Sequence, residues 1–415
     1  PDDLRYIEPV ELPLNPEAAR IGKEIRVIGH DAGEQLSILA GTIARLDRKA
    51  PEYGRGKYND FKTLYLQAAA GTSGGSSGSP VVTIDGEVVA LNAGANNSAA
   101  SSFFLPLDRI ERALRELQND APVTRGTLQT TFRSEPYDEL RRLGLTDESE
   151  RVAREAFPKQ PGMLTVEQVI PGSLAPEMLA PGDILIRING DLITQFVPLE
   201  AILDSHVGEE IEIQVERGGK RIDAKVRVGD LHAITPDEYV EFGDGIVNQL
   251  SYQQARHYNR QPEGVYVANP GYLFSRAAIP RGAVIVEMDG ETIRTLDDFE
   301  SALAGLADGQ RALVRYVTME NPQNSVVRLL EMDRVWFPSK RCSRDDTLGV
   351  WPCRDLAEGP EREVREQGET RLTNYRDPIV RAIAPSLVVV TFDLPYTLSG
   401  VAERHYYGTG LIVDK

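Results

Sequence analysis

Residues 71–80 read Gly-Thr-Ser-Gly-Gly-Ser-Ser-Gly-Ser-Pro. A run this rich in glycine and serine is either a flexible linker or a tight turn whose glycines free the backbone for an unusual conformation or a close approach. The flanks separate the two. Leu64-Tyr65-Leu66-Gln67-Ala68-Ala69-Ala70 leads in, and Val81 to Asn92 leads out as an apolar strand, an Asp85-Gly86 hairpin signal and a second apolar strand. A linker between independent domains stays polar for longer. The stretch is therefore expected to be a turn inside a sheet, and its residues suit one chemistry: a serine nucleophile presented beside backbone amides that hold a tetrahedral oxyanion.

Four serines compete for that role: Ser73, Ser76, Ser77 and Ser79. The pattern Gly-x-Ser-Gly-x-Pro fits only Gly75 to Pro80 and selects Ser77, with the amides of Gly75 and Ser77 as oxyanion donors. Gly-Ser-Ser-Gly-Ser-Pro followed by Val-Val-x-Ile-Asp-Gly-Glu-Val resembles the HtrA/Deg family of trypsin-fold serine proteases. The usual form there is Gly-Asn-Ser-Gly-Gly-Pro, from which Ser76 and Ser79 depart. The serine-rich version behind Ala68-Ala69-Ala70 is similar to the fungal nuclear, pro-apoptotic HtrA-like subfamily and its bacterial relatives. Other hydrolases that use Gly-x-Ser-x-Gly place a helix after the serine, whereas a strand and a hairpin follow here.

The resemblance extends over residues 1–118. Glu24 to His30 and Leu36 to Leu46 read as strands, and Leu107, Ile110, Leu114 and Leu117 space an amphipathic helix over 107–118. In this family that order belongs to the second barrel of the protease domain. The triad's histidine base and orienting aspartate lie on the first barrel, expected upstream of this chain, so the chain is expected to be a fragment and inactive by itself. His30 is read as a structural or surface histidine, and Asp31 and Asp60 as turn or cap residues. The resemblance walls the primary specificity pocket with Gly71 and Thr72 before the nucleophile and with Leu91, Asn92, Ala93 and Gly94 after it. None of these is charged, which implies cleavage after small apolar residues. Asn96 to Ser102 is expected to form a mobile loop over that pocket.

Residues 119–230 carry Gly172-Ser173-Leu174-Ala175, Gly182-Asp183-Ile184-Leu185 and Ile188-Asn189-Gly190 in order. The set resembles a PDZ domain, with Leu199 to Leu203 in the groove helix and Glu210 to Val215 as a strand. PDZ domains take peptides by strand addition and capture a terminal carboxylate with loop amides. The resemblance puts that loop at Arg125 to Thr130, with Thr127, Leu128, Gln129 and Thr130 as the peptide-binding residues. Gln129 stands where the family has glycine. Residues 231–335 repeat the plan: Gly264 to Ala268, Pro280 to Gly290 and a helix at Leu296 to Leu303 suggest a second PDZ-like domain. Residues 336–375 read as a linker. Residues 376–415 restart a β pattern, and His405 to Val413 is similar to the opening of a second, degenerate protease domain. The fold class expected is thus multidomain and mainly β: one trypsin-like barrel, two PDZ-like α+β domains and the start of a second trypsin-like domain.

Composition bounds the partners. A net charge of −17 over 415 residues argues against nucleic acid, and no apolar run is long enough to span a bilayer. Cys342 and Cys353 fit no zinc spacing and could be paired or free. No metal and no cofactor is expected. The partners expected are polypeptide substrates and peptide ligands of the PDZ domains, with homo-oligomerisation left open. The function that the resemblance implies is an ATP-independent serine endopeptidase of the HtrA type acting on unfolded or exposed chains; the alternative is a non-catalytic PDZ scaffold or chaperone built on a pseudoprotease. The resemblance leaves the compartment open, implying the periplasm if the protein is bacterial and the nucleus if it is fungal.

Overall fold

The computed structural model describes residues 8, 10–49, 63–96, 101–172, 178–334, 336–361, 376–393 and 405–413. Asp60, Ser173 to Ala175 and residues 97–100 of the expected pocket loop lie outside them. The chain forms two compact units, Pro1–Thr235 with Ser251–Gln261, and Pro236–Leu250 with Pro262–Lys415. Among the described residues no helix is long and apolar enough to cross a membrane.

The first unit opens with β1 (Glu24–Gly29), β2 (Ser37–Lys49), β3 (Leu64–Ala68), β4 (Pro80–Thr83), β5 (Val88–Asn96) and β6 (Ser101–Pro106). They close a barrel in the order β1-β2-β3-β6-β5-β4. Alternation drives it: Ile25 and Val27 on β1 point inward with Ile43, Leu66, Val81, Val89 and Phe104, and these make one buried cluster. Ser101 and Ser102 belong to β6 and are buried, so the expected loop is a strand at that end. Helix α1 (Leu107–Gln118) follows. Only its start meets the barrel. Leu107 is buried, while Leu114 and Leu117 are exposed, so the apolar stripe read from sequence is covered over its first turn and not beyond.

The same unit continues with β7 (Gly126–Thr127), β8 (Thr130–Pro136), α2 (Tyr137–Leu143), α3 (Asp147–Ala156), β9 (Gly162–Val169), β10 (Ile184–Ile188), β11 (Asp191–Leu192), α4 (Phe196–Ser205), β12 (Glu210–Arg217), β13 (Lys220–Arg227), β14 (Gly229–Asp230) and α5 (Tyr252–Ala255). The main sheet runs β13-β12-β10-β9-β8, so β8 is its edge. Leu64 of the barrel is buried in one cluster with Leu128, Phe132, Leu199 and Leu203. Arg109 of α1 donates to the Glu200 carboxylate of α4 at 3.0 Å, with both side chains almost fully buried.

In the second unit, β15 (Glu238–Phe242), β16 (Gly245–Gln249), β17 (Val265–Asn269), α6 (Gly271–Arg276), β18 (Ala283–Met288), β19 (Glu291–Thr292), α7 (Leu296–Ala304), β20 (Arg311–Thr318), β21 (Asn321–Glu331), β22 (Lys340–Ser343) and β23 (Cys353–Asp355) form a PDZ-like body. Its sheet order is β21-β20-β18-β17-β16-β15-β22-β23. Phe242 packs edge-on against Phe274 and Phe299 at the centre of the core. The described part of the expected linker, 336–361, is not a linker. It supplies β22 and β23, Leu356 joins the core, and Cys342 and Cys353 are disulfide-bonded across the two strands. The charged run that suggested a connector lies mostly beyond that point. Helix α8 (Pro378–Ile383) precedes a separate two-stranded sheet, β24 (Leu387–Asp393) with β25 (His405–Leu411).

Glu150 of α3 shows how charge supports this fold. Its buried carboxylate accepts from Arg141 Nε at 2.6 Å and Nη2 at 2.5 Å, and from Arg154 Nε at 2.7 Å. The Arg141 bonds and then the Arg154 bond outweigh desolvation and lower its pKa from 4.5 to about 2. A depressed carboxylate pKa stabilises above the unfolded value and loses that contribution as pH falls through the folded one. Glu150→Gln should therefore cost about 1–2 kcal/mol near neutral pH. In thermal melts, the gap between variant and wild type should close as pH falls from 4.5 towards about 2.

Candidate active site

The stretch 71–79 connects β3 to β4 as two consecutive tight turns. Ser76 N donates to Ser73 O at 3.4 Å, and Ser79 N donates to Ser76 O at 3.1 Å. The third residue of each turn, Gly75 and Gly78, has φ of +103° and +81°, a region that L side chains avoid. Gly75 also lies flat on the turn at 30–33: a Cβ there would stand 2.2 Å from the His30 carbonyl oxygen and 2.5 Å from Gly33 N. The double turn sorts its serines. Ser76 and Ser79 are buried, Ser73 is half-buried, and Ser77 is exposed at the crest. Among the described residues neither the Gly75 nor the Ser77 amide donates a hydrogen bond, so both are open to an acceptor from outside.

Two sides hold the turn. On the β5 side, Asn92 N donates to Ser79 O at 2.8 Å, Asn92 Nδ2 donates to Ser76 O at 2.8 Å, and Gly78 N donates to Asn92 O at 2.7 Å. Thr72 N donates to Ser102 Oγ at 3.2 Å, the two hydroxyls lie 2.8 Å apart, and Ser102 Oγ donates to Ala70 O at 2.9 Å. On the other side stands Asp31, at the start of the 3-10 turn Asp31–Gly33. Its Oδ1 accepts from Ser73 N at 2.6 Å and from Ser76 Oγ at 3.0 Å, and Ala32 N donates back to Ser73 Oγ at 2.9 Å. The Ser73 amide, helped by the Ser76 hydroxyl and opposed by desolvation, holds the Asp31 carboxyl below its usual value.

Of the residues expected to wall a specificity pocket, Gly71 is exposed, Leu91, Ala93 and Gly94 are half-buried along β5, and Thr72 and Asn92 are buried. The polar groups of these last two are engaged beneath the turn, with Thr72 Oγ1 and Asn92 Oδ1 3.4 Å apart. Asp31 lies in a turn, as expected, but its carboxylate binds the serine turn and does not cap its own. The available signal was a run of seven glycines and serines, 73–79, that needs acceptors; nothing local points to a partner 42 and 45 residues upstream.

The loop expected to bind peptide is largely satisfied from within. Thr127 and Leu128 are fully buried. Gly126 N donates to Asp204 Oδ1 at 2.8 Å, Gln129 N to Thr127 Oγ1 at 2.9 Å, and Thr130 Oγ1 to Leu128 O at 3.3 Å. Gln129 takes φ of +53°, so it adopts the left-handed backbone that a glycine there would supply at lower cost. In the second repeat the same place is a two-residue hairpin: Phe242 faces Gly245, with Gly243 at φ +55° and Asp244 at +63°. Strand β15 thus lies along the outer edge of β16, whereas β8 ends its own sheet.

Family models match in three places: a trypsin-like peptidase domain over residues 3–91, a PDZ domain over 165–217 and a PDZ-like domain over 233–309. The chain is 44% identical over its full length to the pro-apoptotic serine protease nma111 of Aspergillus fumigatus, covering 41% of that protein. It is 46% identical over 86% of its length to the Protease Do-like 7 of Arabidopsis thaliana, covering 34% of that protein. Among solved structures, the HtrA-type protease AlgW with decapeptide matches 53% of this chain and 64% of that one, at 20% identity and a TM-score of 0.35. The chain spans about two fifths or less of the curated relatives' length, and the match to nma111 runs from its first residue to its last. By these sequence matches the chain carries a trypsin-like peptidase region followed by two PDZ regions, and over its full length it is similar to the pro-apoptotic serine protease nma111.

Proposed function

We propose that the full-length protein is an ATP-independent serine endopeptidase that cleaves unfolded or exposed polypeptides after small apolar residues. Ser77 is the nucleophile, and the Gly75 and Ser77 amides receive the oxyanion of the tetrahedral intermediate. The observation that carries this reading is the double turn: it exposes Ser77 alone among its serines and leaves those two amides without an internal acceptor. The preference for small apolar residues is supported by the lack of charge at Gly71, Thr72 and Leu91 to Gly94.

The base and its orienting carboxylate are assigned to a first barrel outside this chain. His206 Nδ1 and His232 Nε2 lie 2.8 and 3.1 Å from backbone carbonyls of the first PDZ region, and His30 meets the turn through its carbonyl. Peptide ligands, where the PDZ regions take them, are assigned to the first repeat: the matching edge in the second is covered by β15.

On a denatured protein substrate without ATP, the full-length protein should cleave, and Ser77→Ala should abolish cleavage while leaving the melting curve in place. Residues 1–415 by themselves should hydrolyse nothing, and Ser77-dependent cleavage by them would contradict the assignment of the base. Gly75→Ala meets both a positive φ and a backbone contact. It should cost about 2–4 kcal/mol in chemical denaturation of the barrel and remove activity with it.

A further inference from the structure

We propose that Asp31 is a positioning residue for the oxyanion hole, an inference that rests on the reading of Ser77 as nucleophile. Glycines occupy positions 74, 75 and 78, so this backbone has the least intrinsic preference of any for the conformation it holds. An oxyanion hole works only when its donors are already aimed, because reorganisation during the reaction would use up the stabilisation they supply. Something outside the turn must therefore fix it.

Asn92 fixes the second turn through three bonds that involve Ser76, Gly78 and Ser79. None of these reaches Gly74 or Gly75. The first turn is closed by one long backbone bond, Ser76 N to Ser73 O at 3.4 Å, and what clamps it is Asp31. A single carboxylate oxygen accepts from Ser73 N and from Ser76 Oγ, the residues that bracket Gly74 and Gly75. The reciprocal bond from Ala32 N to Ser73 Oγ closes a ring between the two segments. The His30 carbonyl and Gly33 N then lie against the face of Gly75 where a side chain would be. Asp31 thus sets the direction of the Gly75 amide without touching the reacting atoms.

Both donors reach the same oxygen, and an asparagine side chain can offer that oxygen as a neutral acceptor. Alanine offers nothing. A geometric role consequently separates the two substitutions.

The test uses the full-length protein and a quenched fluorescent peptide with a small apolar residue before the scissile bond. Rates are normalised to the Ser77 sites that react with a fluorophosphonate at completion. Asp31→Ala should lower kcat per site by about 10–100-fold, with KM within about twofold, because the lost interaction is made to the transition state. Asp31→Asn should restore most of that loss. Amide hydrogen exchange over residues 73–78 should accelerate in Asp31→Ala and stay near wild type in Asp31→Asn. The proposal is overturned by an unchanged kcat in Asp31→Ala, by an equal loss in both variants, or by a loss confined to the number of reactive sites. Wild-type cleavage that survives Ser77→Ala would instead sink the nucleophile reading, and the exchange rates would still decide whether Asp31 holds the turn.

Discussion

The site depends on one mechanical constraint: a backbone made of glycines and small serines must be held still. Local preference cannot do this, since Gly75 and Gly78 sit in conformations that glycine reaches without favouring. The barrel supplies the stiffness from two directions. Asn92, on a central strand, binds the second turn through both backbone and side chain, and Asp31 binds the first. The barrel's closure is what brings these strands together, because β4 leaves the turn to pair with both β1 and β5. Packing of Ile25, Val27, Val81 and Val89 thus determines where a serine hydroxyl is presented.

Much of this was legible in the sequence. The strand–turn–strand–hairpin order around 71–92 follows from alternation and an Asp-Gly signal, both local. The spacing of two glycines and a proline singles out Ser77, the serine that the turn leaves exposed. Asp31 was not legible in the same way. An aspartate after a strand end most often caps its own turn, and its partners here are set by tertiary closure. Thr72 and Asn92 had been expected to wall a pocket, yet their polar groups bind one another's surroundings under the turn; burial depth is a property of the closed barrel. The described part of the expected linker, 336–361, differs for a related reason: β22 and β23 are short, and the pairing of β22 with β15, on which β23 then builds, joins residues about a hundred apart in sequence.

The two PDZ repeats show how one plan diverges. Their strands correspond, from β8, β9, β10, β12 and β13 in the first to β16, β17, β18, β20 and β21 in the second. A tight hairpin through Gly243 and Asp244 folds β15 onto β16, and β22 and β23 extend that edge. An edge strand is where another chain can add; the second repeat fills its own. In the first repeat the buried Asp204 carboxylate already engages the Gly126 amide at the mouth of the loop.

The central claim, that the double turn presents Ser77 and no other serine for acyl transfer, is tested most directly by reacting the folded full-length protein with a fluorophosphonate and mapping the adduct by mass spectrometry. The account predicts a single modified position, Ser77, with Ser73, Ser76 and Ser79 untouched. An adduct on any of those three, or a folded protein that takes up no probe, would contradict it.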